Sequence, residues 1–272
     1  DGLLHLTDET VEQAYRLTAE TAALVIQFLK QDVGIPTYEL LPYKQPIVTL
    51  GKFFLHYPSP QPRSRDLLVR WVWRGALNGA HRGDTVSTRN ALDRIISDSE
   101  DKSVQGMLEM VEKQPPAPPG VEDPFNFRFA VSKLLALALM DLEPRDLETG
   151  VLFNPGAFLD APDRKMSFPP LISSIAGRHG GLIRSVANRL AHPIRTGIRR
   201  LVLDVTDQAI LDSHGITSEA IQALRDGRAS EFLSMRAEYL QSHFHSFFER
   251  HARWNEPDRP SLSSLFVPDE EE

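Results

Sequence analysis

Apolar residues recur along this chain at steps of three and four, and strict alternation is almost absent. Thr7 or Asp8 can cap a first helix. Its inward face is Val11, Tyr15, Ala22, Ile26 and Leu29, with Thr18 at the one polar step, and Gly34 and Pro36 end it. Residues 38–46 read as extended or looped, because Pro42 and Pro46 remove donors and restrict the residues before them. A short helix over residues 50–57 is stopped by Pro58, Pro60 and Pro62. A further helix starts near Ser64 and carries Leu67, Leu68, Trp71, Val72 and Ala76. Ser87 is placed to cap a helix over residues 88–97, and another spans 102–113.

Residues 114–120 read QPPAPPG, and four prolines in seven residues fit neither a helix nor a central strand. This stretch, with Glu122 to Pro124, predicts a linker over 114–124. It separates a helical subdomain at 1–113 from a second at 125–272. Residues 125–142 are apolar nearly all round, which predicts a central buried helix. Residues 147–170 read as loop with at most one short hairpin. Residues 181–191 read as a helix with Leu182, Val186 and Leu190 inward. Two short capped helices follow at 206–213 and 217–225, with Gly215 and Gly227 where helix-ending glycines belong. The last helix runs from Ala229 to about Trp254, with Phe232, Met235, Tyr239, Phe244, Phe247 and His251 inward. The expected fold is therefore all-α, a multi-helix bundle of eight to ten helices with at most one small β-hairpin.

Composition narrows the chemistry. The 272 residues include no Cys, which excludes a disulfide framework, a thiol nucleophile and Cys-based metal centres. No stretch is apolar and long enough to span a bilayer, and the first ten residues lack a basic signal-peptide start. A cytoplasmic setting with no membrane contact is the expectation. The chain opens on Asp1 and leads directly into a helix, so it reads as a piece of something longer. No cofactor motif is present: HExxH, Walker A, GxSxG and GxGxxG are all absent. His243 and His245 would point about 160° apart on a helix and cannot share a metal. His245 and Glu249 have the right spacing, but such a pair is usually a surface hydrogen bond, so no metal site is expected.

The net charge is −7, yet the charge is segregated. Between Arg164 and Leu203 the chain holds Arg164, Lys165, Arg178, Arg184, Arg189, Arg195, Arg199 and Arg200, with His179 and His192, and no Asp or Glu. A cationic field without nearby carboxylates attracts phosphate. The commoner use of such arginines is to pair with carboxylates of distant helices or to cap carbonyls. A second Arg-rich stretch, residues 63–94, centres on Arg70, Trp71, Trp73 and Arg74. Those tryptophans fit a packed core better than a base-stacking surface.

Several stretches resemble a known family. LPYKQPIVTLGKFFLHYP (41–58), followed by RWVWRGALNGAHRG (70–83), is similar to the helical middle of a broad bacterial family. Its members carry an N-terminal ParB-like nuclease domain and include the GmrSD-type, modification-dependent restriction enzymes. ETGVLFNPGAF (148–158), SVANRLAHP (185–193) and SHGITSEAIQALRDGRASEFLSMRAEYL (213–240) resemble its closing helices. The resemblance implies a restriction-system protein. The family's N-terminal domain carries an Asp-Gly-Gln-Arg-like motif, which Asp1-Gly2-Leu3-Leu4 does not complete. Many members end in an HNH-type nuclease, whose His pair supplies a metal ligand and a general base. The comparable stretch here is DRKMSFP (163–169) or the FNPGAF before it, and neither holds a His. Asn188 can be laid on the family's following Asn, but an Asn alone neither activates water nor holds a metal. No catalytic residue is carried over.

Three functions follow as expectations. The first is a non-catalytic helical region that holds DNA, or docks the missing N-terminal nuclease-like domain. Its phosphate contacts would come from Arg178, Arg184, Arg189, Arg195, Arg199 and Arg200. The second is a degenerate HNH-like, metal-dependent nuclease using Asp160, Asp163, His179 or Asn188. The third is a protein-interaction scaffold.

Overall fold

The computed structural model describes residues 8–83, 85–111, 113–153, 168–173, 180–193 and 197–259. These residues form eleven α-helices, nine of them of seven residues or more, with three short 3-10 turns. Among them there is no strand, only isolated antiparallel bridges such as Arg145 with Leu152. The all-α expectation holds. None of the helices is long and apolar enough to cross a membrane.

The chain divides into two compact units. One draws on Asp1–Phe28, Lys44–Pro116 and Glu249–Glu272, the other on Leu29–Tyr43 and Ala117–Phe248. The helices of the first are α1 (Asp8–Gln31, in its first part), α2 (Gln45–His56), α3 (Pro62–Leu77), α4 (Thr85–Asp93) and α5 (Glu100–Leu108). The second holds α6 (Ala130–Met140), α7 (Gly180–Arg184), α8 (Ile198–Asp204), α9 (Gln208–Asp212), α10 (Ser218–Arg225) and most of α11 (Ala229–Ala252).

In the first unit α3 is the central element, buried from Leu67 to Ala76. Trp71 and Trp73 are both in the core. The Trp71 ring meets His81 at 4.4 Å, and Trp73 stacks on His251 at 4.5 Å. His81 is buried and its pKa is pushed down to about 4 by burial, so it stays neutral and bonds the Trp71 carbonyl at 3.1 Å. Arg70 and Arg74 are buried with them, and carboxylates neutralise both. Arg70 pairs with Asp66 and Glu256; Arg74 pairs with Asp258 at 2.6 Å. The Arg74 guanidinium also caps the end of α11, donating to the Ala252 and Arg253 carbonyls at 2.8 and 2.7 Å.

Several boundaries differ from the sequence expectation, each for a local reason. The helix expected over residues 50–57 starts five residues earlier, at Gln45, because Pro46 sits in the first turn of a helix, where its missing donor is harmless. Ser87 lies inside α4 rather than capping it. The Leu92 carbonyl in the last turn of that helix accepts from Lys52, and the Ile96 carbonyl, past its end, accepts from the Ser103 hydroxyl. The helix expected from Phe125 begins only at Ala130, because Asn126 closes a turn on itself. In α11, Tyr239 is exposed rather than inward, lying across Gly215, whose φ of +67 ends the preceding turn. The first half of α1 is exposed on nearly every face.

Close packing of α3 on its own turn gives a direct test. A Cβ on Gly75 would sit 2.2 Å from the His81 ring. Gly75→Ala therefore destabilises the first unit by about 2–3 kcal/mol, through overpacking that a rigid core cannot relax. Thermal unfolding followed by circular dichroism should show the midpoint falling by several degrees.

Candidate nucleic-acid interface

The basic segment belongs to the second unit. Its backbone is not the continuous helix that residues 181–191 predict. Gly180–Arg184 form one turn and a half, Ser185 is extended, and Val186–Asn188 form a 3-10 turn. Side chains and neighbouring backbone claim the groups a longer helix would need. The Ser185 hydroxyl accepts from Ala187 N–H, and the Arg184 carbonyl accepts from Phe125 N–H at 2.8 Å. Asn188 donates its amide to the carbonyls of Ile172 and Ile183, both at 2.8 Å, and accepts from Ile172 N–H.

The carbonyls of the 3-10 turn go to Arg236, on the inward face of α11. This side chain is wholly buried. It donates to the carbonyls of Val186, Ala187, Arg189 and His214, the last through both Nε and Nη2. Every guanidinium donor is matched, and no carboxylate pairs with it among the described residues. Burial lowers its pKa to about 9, which leaves it charged at neutral pH. The sequence reading missed Arg236. Its signal is position: Phe232 and Leu240, one turn to either side, are both core residues.

Beside this clamp lies a buried polar cluster. His192 accepts from Leu147 N–H and lies 3.7 Å from Asp146; His214 bonds the Arg145 carbonyl at 2.8 Å. Burial lowers both histidine pKa values, to about 3 for His214, so both stay neutral. Burial pushes Asp146 up, but hydrogen bonds from Thr149 and Glu148 more than offset it, and its pKa ends low. The cluster ties the 145–152 turn to the 3-10 segment, a structural task.

The predicted phosphate contacts fall into three groups. Arg184, Arg199 and Arg200 are exposed. Arg184 and Arg199 have no ion pair among the described residues. Arg200 has only a 3.8 Å approach to Asp204, with 90% and 69% of the two side chains exposed, and so water screens it. Arg189 is half-buried. It donates to the Phe168 carbonyl at 3.3 Å and lies 5.9 Å from the Phe125 ring centre, and its Nε is buried without a partner. Burial lowers its pKa. Arg178 and Arg195 lie outside the described residues, as do Asp160, Asp163 and His179. Asn188 is fully buried, and its bonds run to backbone. It braces the segment and does not face solvent. No group of three or more His, Asp or Glu side chains gathers at metal-ligand distance among the described residues.

No family model matches the chain, and no curated protein or solved structure matches it. The arrangement is thus read from its own geometry. It can present guanidinium groups to an anionic polymer from a rigidly held turn.

Lysine cannot replace Arg236, because its three donors cannot reach four carbonyls spread around a planar fork. Arg236→Lys should destabilise the second unit by about 3 kcal/mol or more, leaving buried carbonyls unpaired. Hydrogen exchange should show lost protection at Ala187 to Leu190 first; unchanged protection there would contradict the clamp.

Proposed function

We propose that this chain is a non-catalytic helical module that holds DNA by its phosphates, within a restriction- or phage-defence-type protein. The observation that carries the reading is the contrast between its two arginine-rich stretches. In residues 63–94 the buried guanidinium groups of Arg70 and Arg74 are answered by Asp66, Glu256 and Asp258. In residues 184–200 the exposed guanidinium groups of Arg184 and Arg199 have no ion pair among the described residues, and Arg200 has only the water-screened 3.8 Å approach to Asp204. Exposed guanidinium groups so weakly answered, on a chain of net charge −7, run against the overall electrostatics. Such groups serve a polyanion better than they serve the fold. The resemblance of residues 41–58, 70–83 and 213–240 to the restriction family supports DNA as that polyanion.

Phosphate contacts position the protein without reading sequence, so the loss on mutation should be uniform across sequences. The triple variant Arg184→Glu, Arg199→Glu, Arg200→Glu should weaken binding to duplexes of unrelated sequence by about 100-fold or more at low salt. Its thermal midpoint should stay close to that of the wild type, since none of the three side chains is buried. Fluorescence anisotropy with labelled duplexes checks this. Equal affinity of variant and wild type would overturn the reading.

A further inference from the structure

Residues 126–129 form an exposed aromatic turn beside the basic segment, and the phosphate reading leaves it unused. We propose that this turn is a stacking platform for the bases of a single nucleic-acid strand, with Arg128 and Arg184 taking its phosphates. The inference rests on the phosphate-binding reading and names the form of nucleic acid that site takes.

The turn is built in advance of any ligand. Phe129 N–H donates to the Asn126 carbonyl at 2.9 Å, and the Asn126 side chain accepts from Arg128 N–H at 3.0 Å. The Ser132 hydroxyl accepts from Asn126 N–H and donates to the Pro124 carbonyl, which pins the turn to the start of α6. A turn fixed in this way gives up little entropy on binding. Its outward side chains are Phe127, Arg128 and Phe129, with Phe127 39% and Phe129 58% exposed. Phe127 is not loose. Its ring lies 5.1 Å from Phe125 and 5.3 Å from Phe168, and Phe125 and Phe168 are 5.7 Å apart.

Cations surround this aromatic cluster. Arg128 is on the turn and exposed, without an ion pair among the described residues. Arg184 is placed alongside by the bond from Phe125 N–H to its carbonyl. The Arg189 guanidinium lies over the Phe125 ring. The nearest acids in the chain, Glu122 and Asp123, precede Pro124, and the Asp123 carboxylate lies against Gly120.

Exposed rings interleaved with guanidinium groups match a chain of bases joined by phosphates. A duplex hides its base faces, whereas a single strand offers them, so stacking selects the unpaired form. A protein partner fits less well. The exposed apolar groups here are Phe127, Phe129 and Val131, far less than the roughly 800 Å² per side of a stable protein interface, and cations flank them.

The test compares a labelled 15-nucleotide DNA strand, the same sequence as RNA, and the DNA duplex, by anisotropy on the full chain at low salt. The variants are Phe127→Ala/Phe129→Ala, Phe127→Leu/Phe129→Leu, and the triple arginine reversal described above. Both phenylalanine variants should weaken strand binding at least tenfold while changing duplex binding less than twofold, the retained duplex binding showing that the fold survives the lost Phe127 packing. The tighter of the DNA and RNA strands then identifies the ligand. If the phenylalanine variants bind the strand as the wild type does while the arginine reversal weakens it, the platform is wrong and the phosphate reading stands. If only the alanine variant loses binding, the rings act as bulk apolar surface, and the platform is again wrong. If the wild type binds no nucleic acid at low salt, both readings fall.

Discussion

Arg236 buries a full positive charge with no paired carboxylate among the described residues and directs its N–H groups to the carbonyls of Val186, Ala187, Arg189 and His214. Taking such a charge out of water is costly, and only complete hydrogen bonding makes it tolerable. That requirement fixes the backbone around it. The 186–188 turn cannot relax into a longer α-helix, because its carbonyls would then turn inward along the helix and leave the guanidinium unmet. Asn188 completes the arrangement from the other side by bonding Ile172 and Ile183. Arg184 and Arg189, at the two ends of this braced segment, inherit their positions from it.

The molecule thus uses arginine in three ways, and burial separates them. Arg236 is buried and bonded to carbonyls, so its role is architectural. Arg70 and Arg74 are buried and bonded to carboxylates, so they neutralise acids that would otherwise repel one another, and Arg74 also lies over Trp254. Arg184, Arg199 and Arg200 are exposed, and their fields extend into solvent, where a screened ion pair such as Arg200 with Asp204 does little to cancel them. Arginines of this last, exposed kind, Arg128 among them, are available to a ligand.

Much of the helical pattern was legible in the sequence. Thr217 caps its helix as its position suggests, and Gly215 and Gly227 both take positive φ. Phe232, Phe244 and Phe247 are core residues of α11. The failures cluster where a side chain captures backbone groups, within its own turn or across segments. Asn126 breaks an apolar run that looks helical from end to end, and Ser185 with Arg236 breaks another. Such captures leave no periodic trace, and for Arg236 the partner carbonyl lies as far as fifty residues away. Charge segregation was visible in the sequence, but which arginines stay exposed depends on that same tertiary bonding.

The central claim is that unneutralised guanidinium groups of the second unit meet phosphate. The most direct measurement is the dependence of nucleic-acid affinity on salt between about 50 and 200 mM. Three or so phosphate contacts predict that log K falls linearly with log salt, with a slope of about −2 for a single strand and about −3 for a duplex. A slope near zero, with affinity unchanged across that range, would contradict it.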